Sequence, residues 1–183
     1  VLFPNISYSF YPVYCDLYQM SYKEVLLDQD FKINVEDFKQ PNSGIIFPNP
    51  NAPTGLLVSL DFIEEVLKSN PDSIVVVDEA YIDFGGQTCV PLIDKYDNLV
   101  VIQTFSKSRS FAGARLGVAL GNKEAISNLY DVKNSFNSYP VDYITQQIGL
   151  ASVLDSQDMK EKCQKVIKTR EYTKTKLKEL GFV

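Results

Sequence analysis

Short apolar runs alternate with amphipathic segments along the whole chain. Residues 74–77 and 99–102 consist only of Val, Ile and Leu, which is typical of strands that helices cover on both faces. Strands that alternate with helices build a mainly parallel sheet. The pattern therefore predicts an α/β fold with three layers, α/β/α. The predicted strands span 1–3, 24–27, 44–47, 73–77, 98–102 and 116–120.

Helical periodicity appears between these runs. Residues 60–68 place apolar side chains on one stripe, and Ser59 can cap the helix that they form. The last predicted helix is long and charged, and Gly181 ends it. Its length suggests two parts, a domain over 1–157 and a helix over 158–183 that reaches beyond it. The other predicted helices span 123–134 and 140–154.

Composition and charge exclude several classes of protein. With 45% apolar residues among 183, the chain can bury a core without a metal or a disulfide. A net charge of -5 disfavours a nucleic-acid partner. No apolar run approaches the roughly 20 residues that cross a membrane. The chain begins at Val1 with no initiator Met and no leader pattern, so we expect a fragment of a longer protein.

The cysteine and histidine content limits the chemistry further. The 3 cysteines form no CxxC pair, which predicts reduced thiols in a cytoplasmic protein. The sequence contains no histidine, so imidazole acid–base catalysis within this chain is excluded. Any catalysis must use other groups.

Two polar clusters follow predicted strands, where open α/β sheets bind ligands. Residues 47–55 carry prolines and the amides of Asn49 and Asn51, and a simple turn explains them about as well as a site does. Asp78 ends the most apolar strand, and Tyr81 follows three residues later. Because a buried carboxylate is unfavourable without a partner, Asp78 is expected either to hold a cation or to cap a helix. Glu79 is expected to be solvated or paired structurally.

The third cluster, residues 103–117, combines a lysine, several hydroxyls and two arginines. The amine of Lys107 could attack a carbonyl carbon. Hydroxyls together with an arginine could bind a phosphate. The alternative is a basic surface loop. The groups of all three clusters together match the needs of pyridoxal phosphate, which takes a lysine at its aldehyde, a carboxylate at its ring nitrogen, donors at its phenolate oxygen and cationic or hydroxyl groups at its phosphate.

The order of these motifs resembles a known family. Residues 4–11, 49–55, 78–81, 104–107 and 115–117 are similar to the fold-type I pyridoxal-phosphate aminotransferases, and among them to the histidinol-phosphate aminotransferases. The resemblance covers essentially the whole chain. It implies a large cofactor-binding domain whose last strand, 116–120, runs antiparallel to its neighbour.

The resemblance also implies roles for individual residues. Lys107 would bind the cofactor's aldehyde and later move a proton between the substrate's α-carbon and the cofactor. Asp78 would pair with the protonated ring nitrogen, and Tyr81 would donate to the phenolate oxygen. The remaining matched positions are Thr104, Ser106 and Arg115, which would grip the phosphate, and Tyr8, which would stack on the ring.

One position departs from the family pattern. The asparagine that the family places directly before Pro-Thr-Gly is Ala52 here. Asn51, one residue earlier, could reach the phenolate oxygen instead. Arg109 has no clear role in the family and is expected to be a surface residue.

The resemblance implies segments beyond both ends of this sequence. Residues 1–157 would be a large domain without its N-terminal part, and the helix over 158–183 would lead to a small C-terminal domain. The whole enzyme would be a cytoplasmic homodimer that exchanges an amino group between glutamate and imidazole acetol phosphate. If 1–183 is the complete chain, we expect weak cofactor binding and little transamination.

Two alternatives remain open from the sequence. A pyridoxal-phosphate decarboxylase of threonine phosphate would share every visible motif. A receiver-type signalling module would also place an Asp, a Thr and a Lys at strand ends. In such modules the lysine follows a different strand from the threonine, whereas Thr104 and Lys107 follow the same one.

Overall fold

A mixed six-stranded sheet forms the centre of the protein. The computed structural model describes residues 1–182, and the strand order is β2-β1-β3-β4-β5-β6. Neighbouring strands are parallel except β5 and β6, which are antiparallel. The predicted mainly parallel sheet with an antiparallel last strand is thus confirmed. The strands are β1 (Leu2–Pro4), β2 (Lys23–Val25), β3 (Gly44–Pro48), β4 (Ile74–Asp78), β5 (Leu99–Thr104) and β6 (Gly117–Gly121).

Five α-helices accompany the sheet within residues 1–182, and four of them were predicted. The helix expected over 140–154 begins three residues later, because Asp142 rather than Pro140 starts it by accepting a hydrogen bond from the Thr145 amide. The long helix expected from residue 158 up to Gly181 begins at Ser156 and ends at Glu179. The helices are α1 (Phe10–Leu17), α2 (Leu60–Ser69), α3 (Lys123–Phe136), α4 (Tyr143–Leu154) and α5 (Ser156–Glu179).

Helix α1 was not predicted from the sequence. It contains Pro12 and is rich in aromatic residues, which favour strands. A proline in the first turn is tolerated because the amides there have no partner inside the helix. Tyr11 and Cys15, four positions apart, are its buried residues. Two contacts with the sheet therefore determine a helix that local propensity does not indicate.

The main core lies on one face of the sheet. Alternate residues of β3, β4 and β5 point to this face, and α2 covers them with Ile63, Val66 and Leu67. Ser59 accepts a hydrogen bond from the Phe62 amide (3.2 Å), so the predicted cap of α2 is confirmed. Burying each such side chain contributes about 1.5–3 kcal/mol. The buried strand residues are Ile45, Phe47, Val75, Val77, Leu99 and Val101.

The opposite face is covered by α1 over β1 and β3. Tyr11 and Cys15 pack there against Phe3, with Ile46 beside them. Towards β4 and β5 the same face is more open, since Ile74 is 42% exposed and Ile102 is 37% exposed.

The long helix α5 contacts the turn Ile82–Phe84, which follows β4. Arg170 donates a hydrogen bond to the Phe84 carbonyl (2.9 Å). Gly181 adopts a left-handed φ of 88° just after the helix, as a glycine that ends a helix does. The division of the chain at residue 157 remains a prediction. Within residues 1–182, none of the helices combines the length and the apolar character needed to cross a membrane.

Candidate active site

A cavity of about 510 Å³ lies at the carboxyl ends of β4 and β5. The parallel register aligns Asp78, at the end of β4, with Ile102 of β5. The loops that follow the two strands therefore leave the sheet at the same edge. Pro48 and Ala52 bring the loop after β3 to the same cavity. Seven of the eight predicted site residues line it: Tyr8, Asp78, Tyr81, Thr104, Ser106, Lys107 and Arg115.

Asp78 is a partly buried carboxylate whose hydrogen-bond partners are both uncharged. Its Oδ1 accepts from the Ala80 amide (3.0 Å), and its Oδ2 accepts from the Tyr11 hydroxyl (3.1 Å). Burial raises the pKa of Asp78, and the two hydrogen bonds oppose this shift. Among residues 1–182, no lysine or arginine forms an ion pair with it. Such a carboxylate is suited to hold a cationic ligand.

Lys107 extends over the face of Tyr81. Its Nζ lies 5.0 Å from the centre of the Tyr81 ring, a distance at which a cation is attracted to an aromatic face. Tyr81 lies directly before the turn Ile82–Phe84. Lys107 is exposed and borders the cavity, so a carbonyl compound bound there could reach its amine.

Arg115 and Thr104 line the same cavity because β6 returns antiparallel to β5. Thr104 pairs with Gly117, two residues after Arg115. Arg115 adopts a left-handed φ of 56°, and its guanidinium donates to the Ala112 carbonyl (2.9 Å). The Thr104 Oγ1 accepts from the Ser106 amide (3.1 Å), which shapes the loop that leads to Lys107. Hydroxyls and a guanidinium thus face one cavity, as phosphate binding requires.

Asn51 is the predicted site residue that does not line the cavity. It is buried, and its Nδ2 donates to the Ile6 carbonyl (2.9 Å) and to Thr54 Oγ1 (3.0 Å). Its Oδ1 is buried without a hydrogen-bond partner among the described residues. Ala52 lies against the cavity instead. Both amide hydrogens of Asn51 are thus already engaged. Contact of Asn51 with a phenolate oxygen remains a prediction.

Two neighbours of the predicted residues have structural contacts. Glu79 is 1% exposed and accepts hydrogen bonds from Thr88 Oγ1 (2.6 Å), the Cys89 amide (2.7 Å) and Gln103 Nε2 (2.8 Å). The expected structural pairing of Glu79 is therefore present. Arg109, expected at the surface, is partly buried instead, since it stacks on Phe105 and donates to the Ser152 carbonyl of α4.

Sequence reasoning missed Tyr11 and Tyr14, which both belong to α1. Tyr11 reaches Asp78, and its ring meets Tyr8 edge-on at 5.6 Å. Tyr14 lines the cavity. Tyr11 and Tyr14 are three residues apart and so share one face of α1, but this spacing could be used only once the helix was known.

Comparison with known proteins identifies the family. A family model described as aminotransferase class I and II matches residues 1–183. The chain belongs to the class I and II aminotransferases. This membership contradicts the receiver-module alternative and agrees with the position of Thr104 at the end of β5 and of Lys107 just after the same strand.

A curated relative is considerably longer than this chain. The histidinol-phosphate aminotransferase of Lactococcus lactis subsp. cremoris (strain SK11) is 58% identical over 182 residues, which are 100% of this chain and 51% of the relative. The chain spans about half the length of the curated relatives it matches.

Solved structures share the fold. The histidinol-phosphate aminotransferase from Clostridium acetobutylicum has a TM-score of 0.91 at 24% identity, over 100% of this chain and 56% of that one. The histidinol-phosphate aminotransferase from Sinorhizobium meliloti, solved in complex with pyridoxal-5'-phosphate, has a TM-score of 0.83 at 19% identity, over 93% of this chain and 48% of that one. The fold described here is thus that of pyridoxal-phosphate aminotransferases.

Proposed function

We propose that this chain is the cofactor-binding part of a pyridoxal-phosphate aminotransferase that acts on histidinol phosphate. The observation that carries the proposal is that Asp78, Lys107 and Arg115 line one cavity. The 58% identity to a histidinol-phosphate aminotransferase supports the choice of substrate. It also favours amino transfer over the decarboxylation of threonine phosphate, which would use the same motifs.

The residues of the cavity fit pyridoxal phosphate. Asp78 is a carboxylate without a cationic partner among the described residues, as the site of a pyridinium nitrogen requires. Lys107 supplies the amine, and Thr104, Ser106 and Arg115 supply donors for a phosphate. A volume of about 510 Å³ lies within the range of ligand pockets. When bound, pyridoxal phosphate supplies an aldehyde carbon and an electron-accepting ring.

The chain's own residues would then divide the work. The Lys107 amine would hold the cofactor through its aldehyde carbon and, when free, would move the proton from the substrate's α-carbon to the cofactor. Asp78 would hold the protonated ring nitrogen. Tyr81 would donate to the phenolate oxygen, and Tyr8 would pack on the ring. Asn51 supports the loop that carries Ala52.

The whole protein is proposed to be larger than this chain. We infer a cytoplasmic homodimer that uses glutamate as amino donor and imidazole acetol phosphate as acceptor. The relatives' length supports the view that 1–183 is a truncated piece with weak or no turnover. Substrate selection would then depend on segments outside it.

Chemical trapping tests the proposal directly. The chain is incubated with pyridoxal phosphate, reduced with borohydride and digested, and the modified peptide is identified by mass spectrometry. We expect the label on Lys107. Lys107→Ala should abolish it, whereas Lys178→Ala, which removes an exposed lysine of α5, should not. A label spread over surface lysines, or one unaffected by Lys107→Ala, would refute the proposal.

A further inference from the structure

Tyr11 is a buried tyrosine that contacts the carboxylate of the candidate site. It is 3% exposed and lies on α1, far in sequence from the strand that carries Asp78. Its hydroxyl donates to Asp78 Oδ2 at 3.1 Å. The contact joins the helix layer to the end of β4, next to the cavity.

The direction of this hydrogen bond follows from the chemistry of the two groups. An ionised carboxylate can only accept, so the Tyr11 O–H must point at Asp78. Burial raises the pKa of Tyr11 above its ordinary value, and the nearby Asp78 charge adds to this effect. Tyr11 therefore keeps its proton and remains a donor. The Ala80 amide holds the other carboxylate oxygen at 3.0 Å.

These two donors fix the orientation of the carboxylate. A carboxylate has about four acceptor positions, and Tyr11 and Ala80 use one on each oxygen. Because Asp78 also lines the cavity, acceptor positions remain for a ligand. The cationic side chains that line the same cavity are Lys107 and Arg115, and neither forms an ion pair with Asp78 within residues 1–182.

Tyr11 also supports a second wall of the cavity. Its ring meets that of Tyr8 edge-on, with the centroids 5.6 Å apart and the planes at 76°. Tyr8 is 47% exposed and faces the cavity. One buried side chain thus touches both the carboxylate and the aromatic ring that would lie against a bound heterocycle.

We propose that Tyr11 is a positioning residue that holds the Asp78 carboxylate charged and oriented towards the cavity. The part of this inference that concerns the cofactor rests on the proposed function. The part that concerns Asp78 does not, because the hydrogen bond exists in the chain alone.

Carbon NMR of the cofactor-free chain tests the effect on Asp78. In Tyr11→Phe the Asp78 Cγ signal should titrate at a higher pH, because a hydrogen bond that favours the charged form is lost. Tyr18→Phe removes an exposed hydroxyl just after α1 and should leave the titration unchanged. In the unmodified chain the Tyr11 Cζ signal should move at the same midpoint as Asp78. Independent titration of the two signals, or equal midpoints in all variants, would overturn the inference.

A double-mutant cycle tests the effect on the cofactor. Dissociation constants for pyridoxal phosphate are measured for the unmodified chain, Tyr11→Phe, Asp78→Ala and the double variant. We expect Tyr11→Phe to weaken binding about tenfold when Asp78 is present, the size of a hydrogen bond to a charged group. With Asp78→Ala the loss should fall below about twofold.

The outcomes separate the two proposals. Equal losses in both backgrounds would mean that Tyr11 acts only on packing, and the positioning role would be wrong. If the unmodified chain does not bind pyridoxal phosphate, the proposed function fails, while the NMR titration still decides whether Tyr11 controls Asp78.

Discussion

The charge on Asp78 disfavours the folded state of the free chain but favours the binding of a cationic ligand. Burial raises its pKa above the ordinary value, so the folded chain binds a proton there more tightly than the unfolded chain does. The stability linked to this proton is present below the ordinary pKa of aspartate. It is lost as the pH rises through the pKa of the folded state. At neutral pH the free chain thus carries an unfavourable charge that a cationic ligand would offset.

Removing that charge should stabilise the free chain. We expect Asp78→Asn to raise the free energy of unfolding by about 1 kcal/mol at pH 7, measured by urea denaturation. Below about pH 3.5, under the ordinary pKa of aspartate, the gain should vanish. Asp131→Asn, an exposed change on α3, serves as the control. A gain that does not depend on pH would contradict this explanation.

Glu79, the next residue, is predicted to behave in the opposite way. Glu79→Ala leaves the Thr88 hydroxyl, the Cys89 amide and the Gln103 amide without their acceptor. We expect it to lower the free energy of unfolding by about 3 kcal/mol. Glu79→Gln should lower it by less, because the amide oxygen still accepts. Denaturation curves that match those of Glu24→Ala, an exposed glutamate on β2, would show that the network is dispensable.

At the scale of elements, the strands were easier to predict than the helix that completes the site. The apolar runs of β4 and β5 are continuous, and chemistry-bearing residues follow them directly, so Asp78, Thr104 and Lys107 could be placed together from the sequence. Helix α1 has no comparable signal, because its helical state depends on contacts of Tyr11 and Cys15 with the sheet. The hydrogen bond between Tyr11 and Asp78 could therefore not be predicted from the sequence.

The loop after β3 shows a second limit. Its prolines and amides indicated a turn near the site, which the structure contains. The sequence could not determine which side chain of 49–55 turns inward. Hydrogen bonds to Ile6 and Thr54 engage Asn51, and Ala52 borders the cavity. Such a choice depends in part on the Ile6 carbonyl, a backbone partner that lies far from Asn51 in the sequence.

The cap of α2 permits a test at this scale. Ser59→Ala removes the acceptor for the Phe62 amide and should lower the free energy of unfolding by about 1 kcal/mol. Thermal denaturation measures the change. Ser69→Ala, at the exposed other end of the helix, should have a smaller effect. Equal effects of the two changes would mean that the cap contributes nothing specific.

At the scale of the whole molecule, the candidate site is open. Lys107 is exposed, Tyr8 is 47% exposed and Ile102 is 37% exposed. Water therefore has access to the amine and to the sheet beside it. A site from which water is not excluded holds a charged ligand weakly.

This openness predicts separate results for labelling and turnover. The 183-residue chain should accept the borohydride label on Lys107 but transfer amino groups at least about 100-fold more slowly than a chain of the relatives' full length. The comparison uses glutamate and imidazole acetol phosphate and measures 2-oxoglutarate formation. Equal turnover by the two chains would show that residues 1–183 contain everything the reaction needs.

The antiparallel return of β6 has a consequence for how such a site can change during evolution. Residues 105–116 form a single loop, and the pairing of Thr104 with Gly117 holds its two ends together. Insertions inside this loop would leave Thr104 and Gly117 paired as they are. A shift of the pairing between β5 and β6 by one residue would turn every side chain of β6 to the opposite face. The number of residues between Arg115 and β6 should therefore vary far less than the length of the loop's tip.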